Sequence, residues 1–258
     1  MPNINANVYI ALGINAKNQV FGVDITNHLH LLSIESFAES IAISENGIIW
    51  AIAANPGPGG ANLYWSAGDG NWHAAGPSAK EAVKITGSIA NQAYYYGTDE
   101  CFYYINTSGE GEQIGPIPDV QYLDYGGGFL WIVAPTQPGG IPSLQFCQIG
   151  TRSFDWKSFT GAPSPSDITV NAYGNCYGIQ SYSPRYFLND GVRTGSAGSG
   201  ANGTALEMSV KKTYYLLSTN ANADGNEVMV YTNFQGYSNF IDAKFRAIQV
   251  LGTYFQYG

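Results

Sequence analysis

Three histidines, His28, His30 and His73, are the whole imidazole complement of this chain, so acid–base or metal chemistry has few places to start. His28 and His30, two apart, fall on one face of a strand, and a third ligand from elsewhere would complete a metal site. Two exposed imidazoles on an edge strand account for the same spacing. Asn220, Asn222 and Asp224 set oxygen-bearing side chains at alternate positions before Gly225, as a calcium loop begins. Only one of the three is a carboxylate and no glutamate follows at the twelfth position, so a hairpin turn with Asx hydrogen bonds is the better reading. No cofactor and no metal are expected.

Covalent and nucleotide chemistry leave no trace. The chain has no Gly-x-Ser-x-Gly elbow, no Cys-x-x-Cys pair, no phosphate loop and no dinucleotide fingerprint. Ser66 to Trp72 bears a faint likeness to the Asp-box hairpin of sialidases, but its spacing differs, and four arginines leave little room for a carboxylate-binding cluster. Cys101, Cys147 and Cys176 cannot all pair with one another and read as buried thiols in strands.

What the chain holds in quantity is aromatic and amide chemistry, with 19 tyrosines, 12 phenylalanines and 5 tryptophans. A sugar presents an apolar C–H face ringed by hydroxyls, which calls for an aromatic platform and neutral or acidic hydrogen-bonding groups. Trp65, beside the turn from Ser66 to Gly70, and Tyr182 and Tyr186, in the irregular stretch from Ser181 to Asn189, follow no repeat and are candidate ligand-binding residues. Trp72 and Trp156 join them as candidates, although their recurrence also suits a structural role. Trp50 and Trp131 lie in register with buried positions and read as core.

The elements that would position these side chains are strands. Charged residues are 12% of the chain and glycines number 32, while no stretch keeps helical apolar spacing beyond about two turns without Gly, Pro or Asn intervening. A short helix near Ile34 to Ser40 is the exception expected. Hydrophobic residues at 45% suffice for a core, and 258 residues suit one all-β domain spanning the chain.

The chain repeats. An apolar residue opens an alternating strand and an aromatic residue follows nine positions later: Leu12 to Phe21, Ile41 to Trp50, Ile85 to Tyr94, Val120 to Phe129, Ile168 to Tyr177, Leu206 to Tyr215 and Phe245 to Tyr254. Turn formers such as Asn46-Gly47 and Gly126 to Gly128 lie between, so each copy is a β-hairpin. Successive copies start about forty residues apart, leaving room for two further strands in a four-stranded unit. Ile48, Trp50 and Ile52 alternate onto one buried face, as do Phe129, Trp131 and Val133. Stretches near Asn55 to Gly60, Pro135 to Pro142, Arg193 to Thr204 and Asn220 to Asn226 are expected to be loops.

A second recurring element, Trp72 to Gly76 and Trp156 to Gly161, precedes two of the copies, with Gln113 to Gly115 a worn version. Together these elements resemble the repeat of the tectonin or tachylectin-1 type of β-propeller lectin: an apolar strand, a glycine turn, an aromatic strand, a third strand, then Trp, an apolar residue and Gly. Ile41 to Gly76 and Val120 to Gly161 match it best. The resemblance implies an all-β propeller, and the short first and last copies together fill one repeat, so six blades closed by N- and C-terminal strands are expected, with seven as the alternative. It also implies a non-catalytic lectin with several weak sites in grooves between blades, directed at foreign, O-methylated glycans.

A small-molecule cyclase or isomerase, working in an axial or inter-blade pocket through shape and a few hydrogen bonds, is the alternative function. Partners other than glycans are narrowed by charge. The formal net charge is −8, with 11 lysines and arginines scattered along the chain, which provides no footprint for nucleic acid. No apolar run long enough to span a bilayer occurs, so no membrane insertion is expected. The opening residues, Met1 to Ile10, carry no basic or apolar leader, and cytoplasmic residence is the matching expectation.

Overall fold

A computed structural model describes residues 9–250 apart from 25, 27, 56–61, 77–78, 150–153, 160–163, 172, 181–182, 197–202, 209–213, 223–224 and 232–236. Tyr182, Tyr254 and Asp224 therefore lie outside the described residues. The described chain is all strand and turn, in four-stranded antiparallel sheets set as a β-propeller.

The first sheet holds β1 (Ala11–Ile14), β2 (Val20–Val23) and β3 (Leu29–Leu31). The second is β4 (Ala38–Ile43), β5 (Ile49–Ala53), β6 (Leu63–Ser66) and β7 (His73–Ala74). The third is β8 (Ala82–Gly87), β9 (Gln92–Gly97), β10 (Cys101–Asn106) and β11 (Gly111–Pro116). The fourth is β12 (Tyr122–Gly126), β13 (Phe129–Pro135), β14 (Pro142–Gln148) and β15 (Lys157–Ser158). The fifth is β16 (Ile168–Val170), β17 (Cys176–Gln180), β18 (Ser183–Phe187) and β19 (Thr194–Ser196). The sixth is β20 (Gly203–Met208), β21 (Tyr214–Asn222), β22 (Gly225–Tyr231) and β23 (Tyr237–Phe245), after which β24 (Ala247–Val250) returns to pair with β1.

The inner strands follow one another in contact: β24 and β1 beside β4, β4 beside β8, β8 beside β12, β12 beside β16, β16 beside β20 and β20 beside β24. Between neighbouring sheets lie the apolar clusters. Trp50, Ile52 and Ala42 meet Tyr95, Tyr103 and Ile85 of the third sheet. Tyr94, Tyr96 and Phe102 meet Leu130, Ile132 and Cys147 of the fourth. Trp131, Val133 and Phe146 meet Val170, Cys176 and Phe187 of the fifth.

The expected faces form, with Ile48, Trp50 and Ile52 in one cluster and Phe129, Trp131 and Val133 in another, and the opposite face of the second strands is buried as well. In β5 every residue is buried, because Trp50 and Ile52 face the third sheet while Ile49 and Ala51 face the first. A strand sandwiched between two sheets reads as a continuous apolar run, which is why Ile49 to Ala53 contains no polar residue. Trp50 and Trp131 are fully buried in these layers.

Other expectations change with the register. No helix forms near Ile34 to Ser40: a turn at Glu35 and Ser36, the latter at φ 58°, leads into β4, whose Ala38 and Ile41 enter the core. Leu12 and Phe21 do not open a unit, since β24 takes the innermost place and β1 and β2 are the second and third strands of their sheet. Phe245 ends β23, and the rest of its expected copy, up to Tyr254, runs beyond the described residues. Val120 precedes β12, and the hairpin pairs Gly126 with Phe129 around Gly127 and Gly128 at φ 54° and 81°, the two positive values of a type I′ turn. Two expected loops hold strand residues: Thr194–Ser196 forms the outer edge of the fifth sheet, and Ala221 and Asn222 pair with Asn226 and Gly225.

Candidate functional site

Strand pairing in the third sheet lines up one cross-strand row on the face turned to the fourth sheet. Thr86 of β8 pairs with Tyr94 of β9, Tyr94 with Tyr104 of β10, and Tyr104 with Glu112 of β11. Directly opposed residues stand about 5 Å apart, so the row runs outward from the propeller's inner strands as a ladder of hydroxyl, phenol, phenol and carboxylate.

The outer part of this row opens into a groove of about 600 Å³ between the third and fourth sheets. Tyr94 and Tyr104 line it, with Glu112, Gln113 and Ile114 from β11 and Phe154 from the segment before β15. Tyr94 is nearly buried and its ring lies 5.5 Å from that of Tyr125. Tyr104 is half-buried and Glu112 exposed, so polarity rises toward the mouth. Burial raises the Tyr94 phenol pKa, which keeps its proton available for donation.

Inward, the row ends on a sealed polar joint. Thr86 Oγ1 donates to Asp124 Oδ1 at 2.6 Å, and the Val170 amide donates to Asp124 Oδ2 at 2.6 Å. One carboxylate thus joins the inner strands of the third, fourth and fifth sheets. Burial pushes its pKa up to about 6, against the pull of its hydrogen bonds. Nearby, the Ser88 hydroxyl is buried without an aligned partner, although it lies close enough to Tyr94 and Tyr125 to temper the rise in both phenol pKa values.

A smaller groove, 360 Å³, separates the first and second sheets and is lined by Tyr9, His30, Leu31 and Asp69 among others. Tyr9 donates to the Gly68 carbonyl at 3.2 Å, and its ring lies 5.6 Å from His30. His30 Nε2 sits 2.8 Å from Asp24 Oδ2, while the other oxygen of Asp24 accepts from Thr26 and from the His28 amide. That carboxylate is saturated, and both imidazoles stand exposed on and beside the edge strand β3.

The residues singled out in the sequence are scattered. Trp65 sits on β6 opposite His73, the two rings stacked 4.5 Å apart. Trp72 donates from Nε1 to the Leu32 carbonyl at 2.7 Å and packs 4.7 Å from Phe37, which pins the outer edge of the second sheet to the first. Trp156 packs 5.9 Å from Phe102, holding the fourth sheet's outer edge on the third. Tyr186 lies within β18 between Tyr177 and Gly195. None of these four is among the described residues lining the two grooves above.

Tyr104 and Glu112 are not among the sequence candidates, because they meet only through the register of β10 and β11. The usable signal was the pair of aromatic runs Tyr94 to Tyr96 and Phe102 to Tyr104. In adjacent antiparallel strands, such runs must set some of their rings on one face as partners.

No family profile and no curated protein matches this chain. Solved structures do resemble it. A chain of a nidogen/laminin complex superposes with a TM-score of 0.66 at 7% identity, covering 95% of this chain and 98% of the other. TolB of Acinetobacter baumannii gives 0.64 at 10%, covering 93% and 65%. A gluconolactonase of Xanthomonas campestris gives 0.58 at 11%, covering 84% and 86%. At these identities the likeness concerns the fold, and these neighbours, diverse in function, agree in being propellers.

Proposed function

We propose that this protein is a non-catalytic carbohydrate-binding propeller of the tectonin-like kind, its six sheets acting as six blades and its principal site lying in the groove between the third and fourth. The observation that carries this reading is the row Tyr94, Tyr104 and Glu112 lining an open groove with Phe154 and Ile114. Aromatic rings accept the apolar face of a pyranose, while a phenol and a carboxylate serve its hydroxyls. The groove between the first and second sheets, with Tyr9, His30 and Asp69, supplies a second and different site. Two modest sites on one rigid ring engage a glycan-coated surface more strongly than either does alone. The repeat of Trp72 and Trp156 and the aromatic second strands support kinship with the lectins.

The enzyme alternative draws less support. Asp124 is the one buried charged side chain among the described residues, and its oxygens are committed to Thr86 and Val170. A carboxylate so engaged holds strands together instead of trading protons with a substrate.

Titration of the protein with neutral monosaccharides and their O-methyl derivatives, followed by calorimetry, tests the proposal. Binding in the millimolar range is expected, with at least a tenfold loss in Tyr104→Ala, since a half-buried ring is the platform. An absence of binding to every sugar at millimolar concentration would overturn it.

A further inference from the structure

Glu112 is the only charged residue among the described residues lining the larger groove. It stands at the mouth, on the outermost strand, directly opposite Tyr104 and one alternation from Ile114 on the same face. We infer that this groove selects among sugars by charge, preferring one that carries a free amino group, whose apolar face rests on Tyr104 and Phe154 while its ammonium meets Glu112. The inference rests on the carbohydrate reading above and adds the class of ligand.

The geometry suits one sugar unit. Cross-strand partners lie about 5 Å apart, close to the width of a pyranose, so a ring seated over Tyr104 brings a substituent at its edge to the Glu112 carboxylate. Other charges do not neutralise it. Glu110, at the turn before β11, is itself acidic and tied to Asn106 and Ser108. Lys84 faces the same interface but is placed over the Tyr122 ring, 5.8 Å from its centroid, on the innermost strand. Three strand spacings separate β8 from β11, roughly 14 Å, which exceeds the Debye length at physiological salt. Lys157 shares its position with Phe146, whose side chain belongs to the opposite interface, with the fifth sheet. An acidic sugar would meet Glu112 with no described cation in the groove to balance it.

An exposed ion pair changes binding by a few fold, and that is the scale to look for. Calorimetric titrations near pH 6 with glucosamine, N-acetylglucosamine and glucuronate as probes are expected to rank them in that order, glucosamine binding about three- to fivefold tighter than its N-acetylated form. The advantage should shrink in high salt and vanish in Glu112→Gln, which keeps the side chain's shape at an exposed position and leaves the fold untouched. Equal affinity for the amino and N-acetyl sugars, or an advantage that survives Glu112→Gln, would overturn the inference. If neutral sugars bind and Tyr104→Ala removes them while the amine brings no gain, the charge selection alone falls; if no sugar binds, the carbohydrate reading falls and takes this with it.

Discussion

Asp124 shows how much a single side chain can tie together. Its two oxygens reach Thr86 on β8 and the Val170 amide on β16, while its own strand, β12, lies between them. The Tyr125 amide in turn donates to Thr86 Oγ1 at 3.1 Å. Burial raises the carboxyl pKa from its ordinary value near 3.8 to about 6. The folded protein therefore holds a proton there that the unfolded chain has released, and this group's contribution to stability falls as pH rises from about 4 to about 6 and is constant above. A shift of about two units bounds that contribution at about 3 kcal/mol. In Asp124→Asn the amide oxygen still accepts from Val170 and the amide nitrogen donates to Thr86, whose hydroxyl then turns to the Gly87 carbonyl. The variant is expected to fold and to lose this slope, so the difference in Tm between wild type and variant should change between pH 4 and pH 6.5 and stay flat above. An unchanged difference across that range would refute the assignment.

At the scale of elements, glycines set two different limits. Gly127 and Gly128 form the two-residue turn of the β12–β13 hairpin, and a Cβ at Gly128 meets nothing within 4 Å. Gly128→Ala should cost about 1 kcal/mol, the penalty of a side chain in the left-handed region. Gly87 is a matter of space: a Cβ there would lie 1.9 Å from the Ile43 carbonyl oxygen on β4. Backbone cannot rotate aside as a side chain does, so Gly87→Ala must part the second and third sheets. Thermal denaturation of the pair should show a shift of a few degrees for Gly128→Ala and loss of the cooperative transition for Gly87→Ala. Comparable melting of both would show that the inner strands slide past one another more freely than their packing implies.

For the whole molecule, closure depends on a strand of four residues. Ala247, Ile248, Gln249 and Val250 pair with Ile14, Gly13, Leu12 and Ala11, placing the C-terminal β24 innermost in a sheet whose other three strands are N-terminal. Phe245 fills the space left by Gly13 and lies 6.1 Å from Phe21. The Arg246 guanidinium donates to the Ala38 carbonyl at 2.8 Å, which fastens the returning chain to the second sheet as well. Removing residues 246–258 strips β1 of its inner partner and uncovers apolar side chains at two interfaces. The shortened protein should be insoluble or lack near-ultraviolet circular dichroism. A soluble product melting within a few degrees of the full chain would show that the ring does not depend on β24.

The sequence by itself determined the all-strand character, the forty-residue period and the burial of Trp50 and Trp131, because alternation, glycine turns and aromatic spacing are local properties carried by neighbouring residues. It also placed the C-terminal segment against the N-terminal strands, since two short copies had to make one unit. It misjudged the place of Leu12, whose hairpin with Phe21 forms but supplies the second and third strands of its sheet, and it set Val120 inside a strand that begins two residues later. Only the tertiary structure decided that Tyr94, Tyr104 and Glu112 share one row, because a row is set by the register of three strands. Likewise, only the packing of three sheets brought Asp124 to Thr86 and Val170, 38 and 46 residues away in the chain. Chemistry assembled across strands depends on distances that no local pattern encodes.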